Sequence, residues 1–193
     1  MKLPTLTTSL LIASLTLGNT ALMAEDYIID TKGAHASIKF RVQHLGYSWL
    51  YGRFNDFNGT FSYDEKQPEK ATVKVTIKTS SVDSNHAERD KHLRSDDFLN
   101  VDKYPEAKFV STEFIPGKDG SGVLQGNLTL NGVTKPLKID VEFIGAGDDP
   151  WGGYRRGFEG KTSFAMADFD IVKKLGPKSK DVEMILSVEG IRQ

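Results

Sequence analysis

Cysteine is absent from this chain of 193 residues. Its absence excludes a disulfide framework and lipid attachment at an N-terminal cysteine. An excess of one charge is also lacking, because 25 Lys and Arg nearly balance 26 Asp and Glu and leave a formal net charge of −1. A surface so close to neutral provides no broad field for nucleic acid, and we expect no such partner. The core must therefore hold together by packing alone.

Long apolar runs are confined to the N-terminus. Residues 1–24 begin with Lys2, continue with LLIASLTL and end in the small residue Ala24, which is the layout of a secretory signal peptide. Leu22 stands where a small residue is usual, three positions before the cut. The run is too short to span a bilayer comfortably, and no second run of about 20 apolar residues follows. We expect cleavage near Ala24, with a retained membrane anchor as the alternative, and one mature domain over residues 25–193.

Motifs for covalent chemistry are missing as well. The sequence contains no Gly-x-Ser-x-Gly nucleophile elbow. It also contains no Gly-x-x-x-x-Gly-Lys-Ser/Thr loop that would bind phosphates. We therefore predict no catalytic residues, no cofactor and no metal site.

Alternation of apolar and polar residues is the main pattern that the chain does have. In HASIKFRVQH, the side chains of Ala36, Ile38, Phe40 and Val42 share one face, which is typical of a half-buried strand. Seven further segments are predicted as strands: 53–64 with a bend near Asn58-Gly59, 71–79, 107–114, 123–130, 137–143, 158–166 and 182–188. Asn131-Gly132 favours a tight hairpin turn between two of them. Eight antiparallel strands with one apolar face can close into a barrel or stack as a sandwich, and periodicity does not decide between these folds.

The stretch NHAERDKHLRS interrupts the strands and predicts a short helical insertion around residues 85–100. Asn85 and Glu88 fit an N-cap and its partner three residues later. On a helix, His86 and His92 point about 120° apart, so one ion could not easily bind both. The favoured interpretation is a charged structural helix with two i,i+4 pairs, His86 with Asp90 and Glu88 with His92. A polar contact to a ligand or to a barrel rim is the alternative.

Four blocks of sequence together resemble the YceI family of bacterial periplasmic proteins. They are FRVQHLGYSWLYGRFNDFNGTFSYDE, SVDSNHAERDKHLRSDDFLNVDKYPEAKF, GNLTLNGVTKPL and GAGDDPWGGYRRGFEG, in this order. The resemblance implies an all-β, antiparallel eight-stranded lipocalin-like barrel and location in the periplasm. It also implies binding of a polyisoprenoid or similar apolar amphiphile inside the barrel. The family's Arg-Asp-x-His-Leu core falls on Arg89, Asp90, His92 and Leu93.

Candidate ligand-binding residues follow from the apolar faces and from this resemblance. The predicted apolar lining consists of Phe40, Val42, Phe54, Phe57, Val75, Ile77, Leu93, Phe98, Phe109, Leu128, Leu130, Phe158 and Phe164. The predicted polar rim consists of His44, Arg89, His92 and Arg155. Gly126 and Gly160 also lie on inward faces, where they either leave volume for a ligand or allow tight packing.

Two loops have alternative interpretations. The aromatic residues Tyr47, Trp49 and Tyr51 either form a barrel mouth that contacts a membrane surface or cap the barrel end as packed core. In the glycine-rich loop GDDPWGGYRRG, Arg155 or Arg156 either pairs with a diphosphate head group or is a solvated surface charge.

Three functional hypotheses result. The first is a carrier or storage protein for an isoprenoid-type lipid, with transient membrane contact and without covalent chemistry. The second is an enzyme that acts on such a lipid through Glu88, Asp90 and His92. The third is a stress-related interaction protein with a solid barrel. The oligomeric state, including a dimer, stays open at this stage.

Overall fold

The computed structural model describes residues 24–173 and 175–193. Its strands are β1 (Glu25–Ile29), β2 (Ser37–His44), β3 (Ser48–Phe54), β4 (Phe57–Tyr63), β5 (Thr72–Lys78), β6 (Val82–Asp83), β7 (Glu106–Pro116), β8 (Gly122–Leu130), β9 (Val133–Asp148), β10 (Tyr154–Ala165) and β11 (Asp181–Arg192). The α-helix α1 spans Ala87–Arg94, and three short 3-10 helices span Pro68–Lys70, Thr79–Ser81 and Met166–Phe169. Within the described ranges, no helix is both long enough and apolar enough to cross a bilayer. The predicted signal peptide lies, except for Ala24, outside the described residues.

The strands form a closed antiparallel barrel of eight positions. Hydrogen bonding runs in the order β1, β4, β5, β7, β8, β9, β10 and β11, and β11 pairs back onto β1. Closure leaves no free edge in this ring, which favours a barrel over a sandwich. The predicted all-β, eight-stranded lipocalin-like barrel with one short helix is confirmed.

Three positions of the barrel wall are built from two strands each. The last residues of β11 pair with β1, and the first half of β11 pairs with β2. β1 and β2 therefore lie end to end beside β11. In the same way β3 continues into β4, and β5 continues into β6. The break between β3 and β4 lies at Asn55-Asp56, not near Asn58-Gly59 as predicted. There the backbone N–H of Asn55 donates to the carbonyl of Ser81 at 3.1 Å. Ser81 lies between β5 and β6, so this hydrogen bond holds the two strand breaks side by side.

Glycines of the wall lie under aromatic rings from neighbouring strands. A β-carbon on Gly52 would lie 2.2 Å from Cζ of Phe40, and one on Gly126 would lie 2.5 Å from Cζ of Phe109. A β-carbon on Gly160 would lie 3.0 Å from the Ile139 side chain. Gly126 and Gly160 therefore allow neighbouring side chains to pack closely, as the second alternative proposed.

The N-cap of helix α1 lies one residue later than predicted. His86 is the N-cap, and its Nδ1 accepts a hydrogen bond from the backbone N–H of Arg89 at 3.2 Å. Asn85 has φ of 60°, in the left-handed region, whereas an N-cap needs an extended backbone. The predicted cap of Asn85 with Glu88 is therefore wrong, although the helix itself is present.

Candidate ligand-binding site

The barrel encloses a cavity of about 420 Å³ with an almost entirely apolar wall. All thirteen residues of the predicted apolar lining contribute to its wall: Phe40, Val42, Phe54, Phe57, Val75, Ile77, Leu93, Phe98, Phe109, Leu128, Leu130, Phe158 and Phe164. They come together because inward-facing residues alternate along every strand of a closed barrel. Their placement is thus established, while their binding of a ligand stays a prediction.

A cluster of aromatic rings closes one end of the cavity. The Phe158 ring centroid lies 5.8 Å from those of Phe61 and Tyr63 and 5.7 Å from that of Phe143. Phe61 stacks in turn on the fully buried Tyr27, with centroids 4.6 Å apart. These tilted and edge-on pairs fill the barrel near its base, so the cavity has an apolar floor.

Arg156 lies beneath this floor and not in the cavity lining. Its side chain is only 4% exposed, its guanidinium lies 4.6 Å from the Tyr63 ring centroid, and it donates a hydrogen bond to Glu65. Burial lowers the pKa of Arg156, but the hydrogen bonds with Tyr27 and Glu65 outweigh that effect and raise it. Burial and a hydrogen bond to Glu25 raise the pKa of Tyr27 to about 12. Arg156 therefore stabilises the base of the barrel, away from any ligand in the cavity.

A group of polar side chains in the lining lies at helix α1, away from the floor. Arg89 donates from Nε to Ser84 Oγ and from Nη2 to the Ser84 carbonyl, each at 2.7 Å. Buried Asp90 accepts from the backbone N–H of Ser84 at 2.8 Å. Ser84, Arg89 and His92 all line the cavity. This end therefore offers hydrogen-bonding groups to the polar end of an amphiphile.

His92 is held by a partner that sequence spacing did not identify. Its Nε2 lies 2.7 Å from Oδ2 of Asp97, and Lys173 bonds the same carboxylate. The hydrogen bonds from Lys173 and His92 lower the pKa of Asp97. The predicted i,i+4 pair of Glu88 with His92 is not the contact that orients the imidazole, because Asp97 takes that place.

His44 and Arg155, the other two predicted rim residues, are not among the residues that line the cavity. His44 is exposed at the end of β2. Arg155 binds three carboxylates: Asp30 and Asp149 at 2.7 Å each, and Glu189. Neither the diphosphate-binding nor the solvated alternative describes Arg155, since three acids bond its guanidinium and it does not line the cavity.

The Arg155 cluster also has the composition of a candidate metal site. Asp30, His35 and Glu189 offer ligand atoms within 4.8 Å of one another. However, the Arg155 guanidinium bonds Asp30 and Glu189 and takes the place that a cation would need. The hydrogen bonds from Arg155 and His35 lower the pKa of Asp30 to about 2. The cluster therefore works as an ion-pair network that ties β1 to β10 and β11.

The aromatic turn between β2 and β3 is exposed. Tyr47 is 88% exposed, Tyr51 is exposed, and the Trp49 ring lies 4.1 Å from the guanidinium carbon of Arg41. The packed-core alternative for this turn is wrong, because all three rings are exposed to solvent, although Tyr51 also borders the cavity.

Several lining residues escaped the sequence analysis. Leu50 on β3, together with Ile171 and Leu175 between β10 and β11, lines the cavity. Leu50 alternates in phase with Gly52 and Phe54, so extending the predicted strand toward Ser48 would have included it. Ile171 and Leu175 lie outside regular strands and carry no periodic signal.

Comparisons with known proteins agree with this geometry. The family model for the YceI-like domain matches residues 27–190. The UPF0312 protein PA0423 of Pseudomonas aeruginosa is 64% identical over 171 residues, which cover 89% of each chain. The crystal structure of the Campylobacter jejuni YCEI protein has a TM-score of 0.71 and 29% identity, and it covers 79% of this chain and 90% of its own. A polyisoprenoid binding domain from Saccharophagus degradans shares the fold, with a TM-score of 0.62, 14% identity and coverage of 86% and 98%. The chain belongs to the YceI family.

Proposed function

We propose that the protein is a periplasmic carrier that holds the apolar chain of a polyisoprenoid-type amphiphile in its barrel, without covalent chemistry. The apolar cavity of about 420 Å³ carries this proposal. Its volume falls in the range of about 300–1,000 Å³ that is typical of ligand pockets. The description of the Saccharophagus degradans domain as polyisoprenoid-binding supports the same ligand class.

Hydrophobic transfer supplies the affinity in this proposal. Each buried methylene contributes about 0.8 kcal/mol, so a chain of modest length binds tightly without many polar contacts. The lining offers few groups that would pair with a polar chain, which favours hydrocarbon over sugar or peptide.

The ligand enters tail first in this proposal. The apolar end reaches the floor around Phe158, while the polar end lies near Ser84 and Arg89. Arg89 uses Nε and Nη2 on Ser84, and among the described residues no partner bonds its Nη1. This nitrogen is the donor that we assign to an anionic or hydroxyl head group.

The enzyme hypothesis receives less support from the site. Asp90 is buried against Ser84, and His92 is oriented by Asp97 beside Phe98. A general base must be within hydrogen-bonding reach of its substrate, and these two groups are already engaged with the protein. The hypothesis of a solid barrel also receives less support, because a solid barrel would contain no cavity of this size.

Mass spectrometry tests the carrier proposal directly. We expect an organic extract of the protein, purified from its own periplasm without detergent, to contain an isoprenoid in near-stoichiometric amount. An unrelated periplasmic protein taken through the same steps is the control. An extract that matches this control refutes the proposal, and release of phosphate from an added prenyl diphosphate would favour the enzyme.

A further inference from the structure

Two segments meet at the end of the barrel where helix α1 lies, and we call them together the mouth surface. They are residues 43–51, at the turn between β2 and β3, and residues 171–173 and 175–180, before β11. Ser179 joins them, because its Oγ donates to the Gln43 carbonyl at 2.6 Å and accepts from the Leu45 N–H at 3.3 Å. The two segments therefore form one continuous surface.

Large apolar side chains project from the mouth surface into solvent. Tyr47 is 88% exposed and Val172 is 74% exposed, and Leu45, Trp49 and Tyr51 are exposed as well. Leu50, Ile171 and Leu175 belong to the same segments but line the cavity. The apolar exterior is thus continuous with the apolar interior.

The charge of the mouth surface has one sign. The described residues of the two segments include three lysines, Lys173, Lys178 and Lys180, and no acidic residue. Lys173 pairs with Asp97 beside the mouth. Among the described residues, Lys178 and Lys180 have no carboxylate within salt-bridge distance. The surface therefore combines exposed aromatic rings with two lysines, Lys178 and Lys180, that form no salt bridge with the described residues.

We propose that the mouth surface docks on an anionic lipid bilayer. Aromatic rings with polar tips are favoured at the head-group level, and lysines near an anionic surface are attracted to it. Docking would place the open end of the cavity against the bilayer, so that an apolar chain passes between them without crossing water. The purpose of docking rests on the proposed carrier function, but docking itself does not require a ligand.

The opposite end of the barrel provides an internal comparison. Trp151, in the turn between β9 and β10, is 76% exposed. Its turn also contains Asp148 and Asp149 and lies at the floor end of the barrel. An exposed indole is therefore present at both ends, but the turn that carries Trp151 contains two acids, whereas the described residues of the two mouth segments contain none.

The two tryptophans, Trp49 and Trp151, allow each end to be observed separately. Trp151→Phe leaves the indole at the mouth, and Trp49→Phe leaves the indole at the far end. The probe is a vesicle of phosphatidylglycerol and phosphatidylethanolamine, with phosphatidylcholine vesicles as the comparison. We expect a blue shift and quenching by brominated lipid for Trp151→Phe on anionic vesicles, and neither for Trp49→Phe.

Charge reversal tests the cationic part of the surface. Near an anionic surface each lysine is worth about fivefold in partitioning, so Lys178→Glu with Lys180→Glu should lower vesicle cosedimentation at low salt at least tenfold. Lys66→Glu with Lys118→Glu changes the charge equally at exposed positions of the opposite barrel end and should retain binding. Tyr47→Ser should weaken the binding that remains at high salt, where screening leaves mainly the apolar contribution.

The outcomes separate docking from the carrier function, because the vesicles contain no isoprenoid. Equal responses of both tryptophans, or equal partitioning of the two charge-reversed proteins, would refute the docking surface. Loss of a dimer in light scattering on Tyr47→Ser, without vesicle binding by wild type, would assign the surface to a second copy instead. Normal docking by a protein that extracts no isoprenoid would refute the carrier alone.

Discussion

Replacement of Leu128 by tryptophan decides whether the cavity holds a ligand. Leu128 lies on β8, pairs in register with Phe109 and points into the cavity. In a solid core the larger indole would overpack and would cost about 1–3 kcal/mol of stability. Since about 420 Å³ of space adjoins this side chain, we expect the Tm of the ligand-free variant to stay close to that of wild type.

The ligand-bound protein should behave differently. A ligand at a hundredfold excess over its dissociation constant stabilises the native state by about 2.7 kcal/mol. For a domain of this size that corresponds to a rise in Tm of about 5–11 °C in wild type. The indole takes space that the ligand needs, so most of this rise should be lost in Leu128→Trp.

Thermal unfolding with and without an isoprenoid measures both effects. Asn127→Trp is the matched control, because its side chain is exposed on the outer face of the same strand. It should keep the ligand-induced rise in Tm. The reasoning fails if Leu128→Trp keeps the full rise, and a strong loss of stability in its ligand-free form would show that the barrel is solid at this point.

Four further predictions concern the stability of the fold, its independence of metal and its N-terminus. Because the folded-state pKa of Asp30 is about 2, below the ordinary 3.8, its carboxylate contributes stability above pH 3.8 and loses it as the pH falls toward 2. Asp30→Asn should therefore lower the free energy of unfolding by about 1–3 kcal/mol at pH 7 and make it fall less steeply toward acid pH. An unchanged free energy of unfolding at pH 7 would contradict this. Gly126→Ala should cost about 1–3 kcal/mol in urea unfolding, because its β-carbon would lie 2.6 Å from a backbone oxygen. Gly145→Ala, with nothing within 4 Å, is its control and should be neutral or stabilising, so equal costs would refute the packing argument. Exhaustive chelation should leave Tm and ligand uptake unchanged, and a stoichiometric zinc signal lost together with uptake would overturn this view. The intact mass of the native protein should correspond to a chain that begins near Glu25, and a species beginning at Met1 would exclude signal cleavage.

The alternation of residues predicted the wall of the barrel well. Each of the eight predicted segments coincides with one wall position, since a strand with one buried face repeats its apolar residues every second position. β1 was missed because its five residues follow directly on the predicted cleavage site and offer too short a pattern. Closure of the ring was not derivable from periodicity, because alternation does not encode which strands pair. It came from the resemblance to the family.

Partners of individual side chains were predicted less well, for a physical reason. Spacing on an isolated helix predicts Glu88 as the partner of His92, but the chain folds back after the helix and brings Asp97 to the imidazole. Arg155 shows the same effect, because one of its acids, Asp30, lies 125 positions away in the sequence. Local patterns report the face on which a residue lies, whereas ion-pair partners depend on the closed topology.

The glycines of the wall explain how an interior rich in phenylalanine retains a cavity. The Phe40 ring reaches sideways over Gly52 on the adjacent strand, and the Phe109 ring reaches over Gly126 in the same manner. A side chain at either glycine would occupy the place of the ring end and would force the ring toward the barrel axis. Aromatic volume is thus held against the wall, and the space along the axis stays open. Tight packing of the rings over these glycines therefore keeps room for a ligand along the barrel axis.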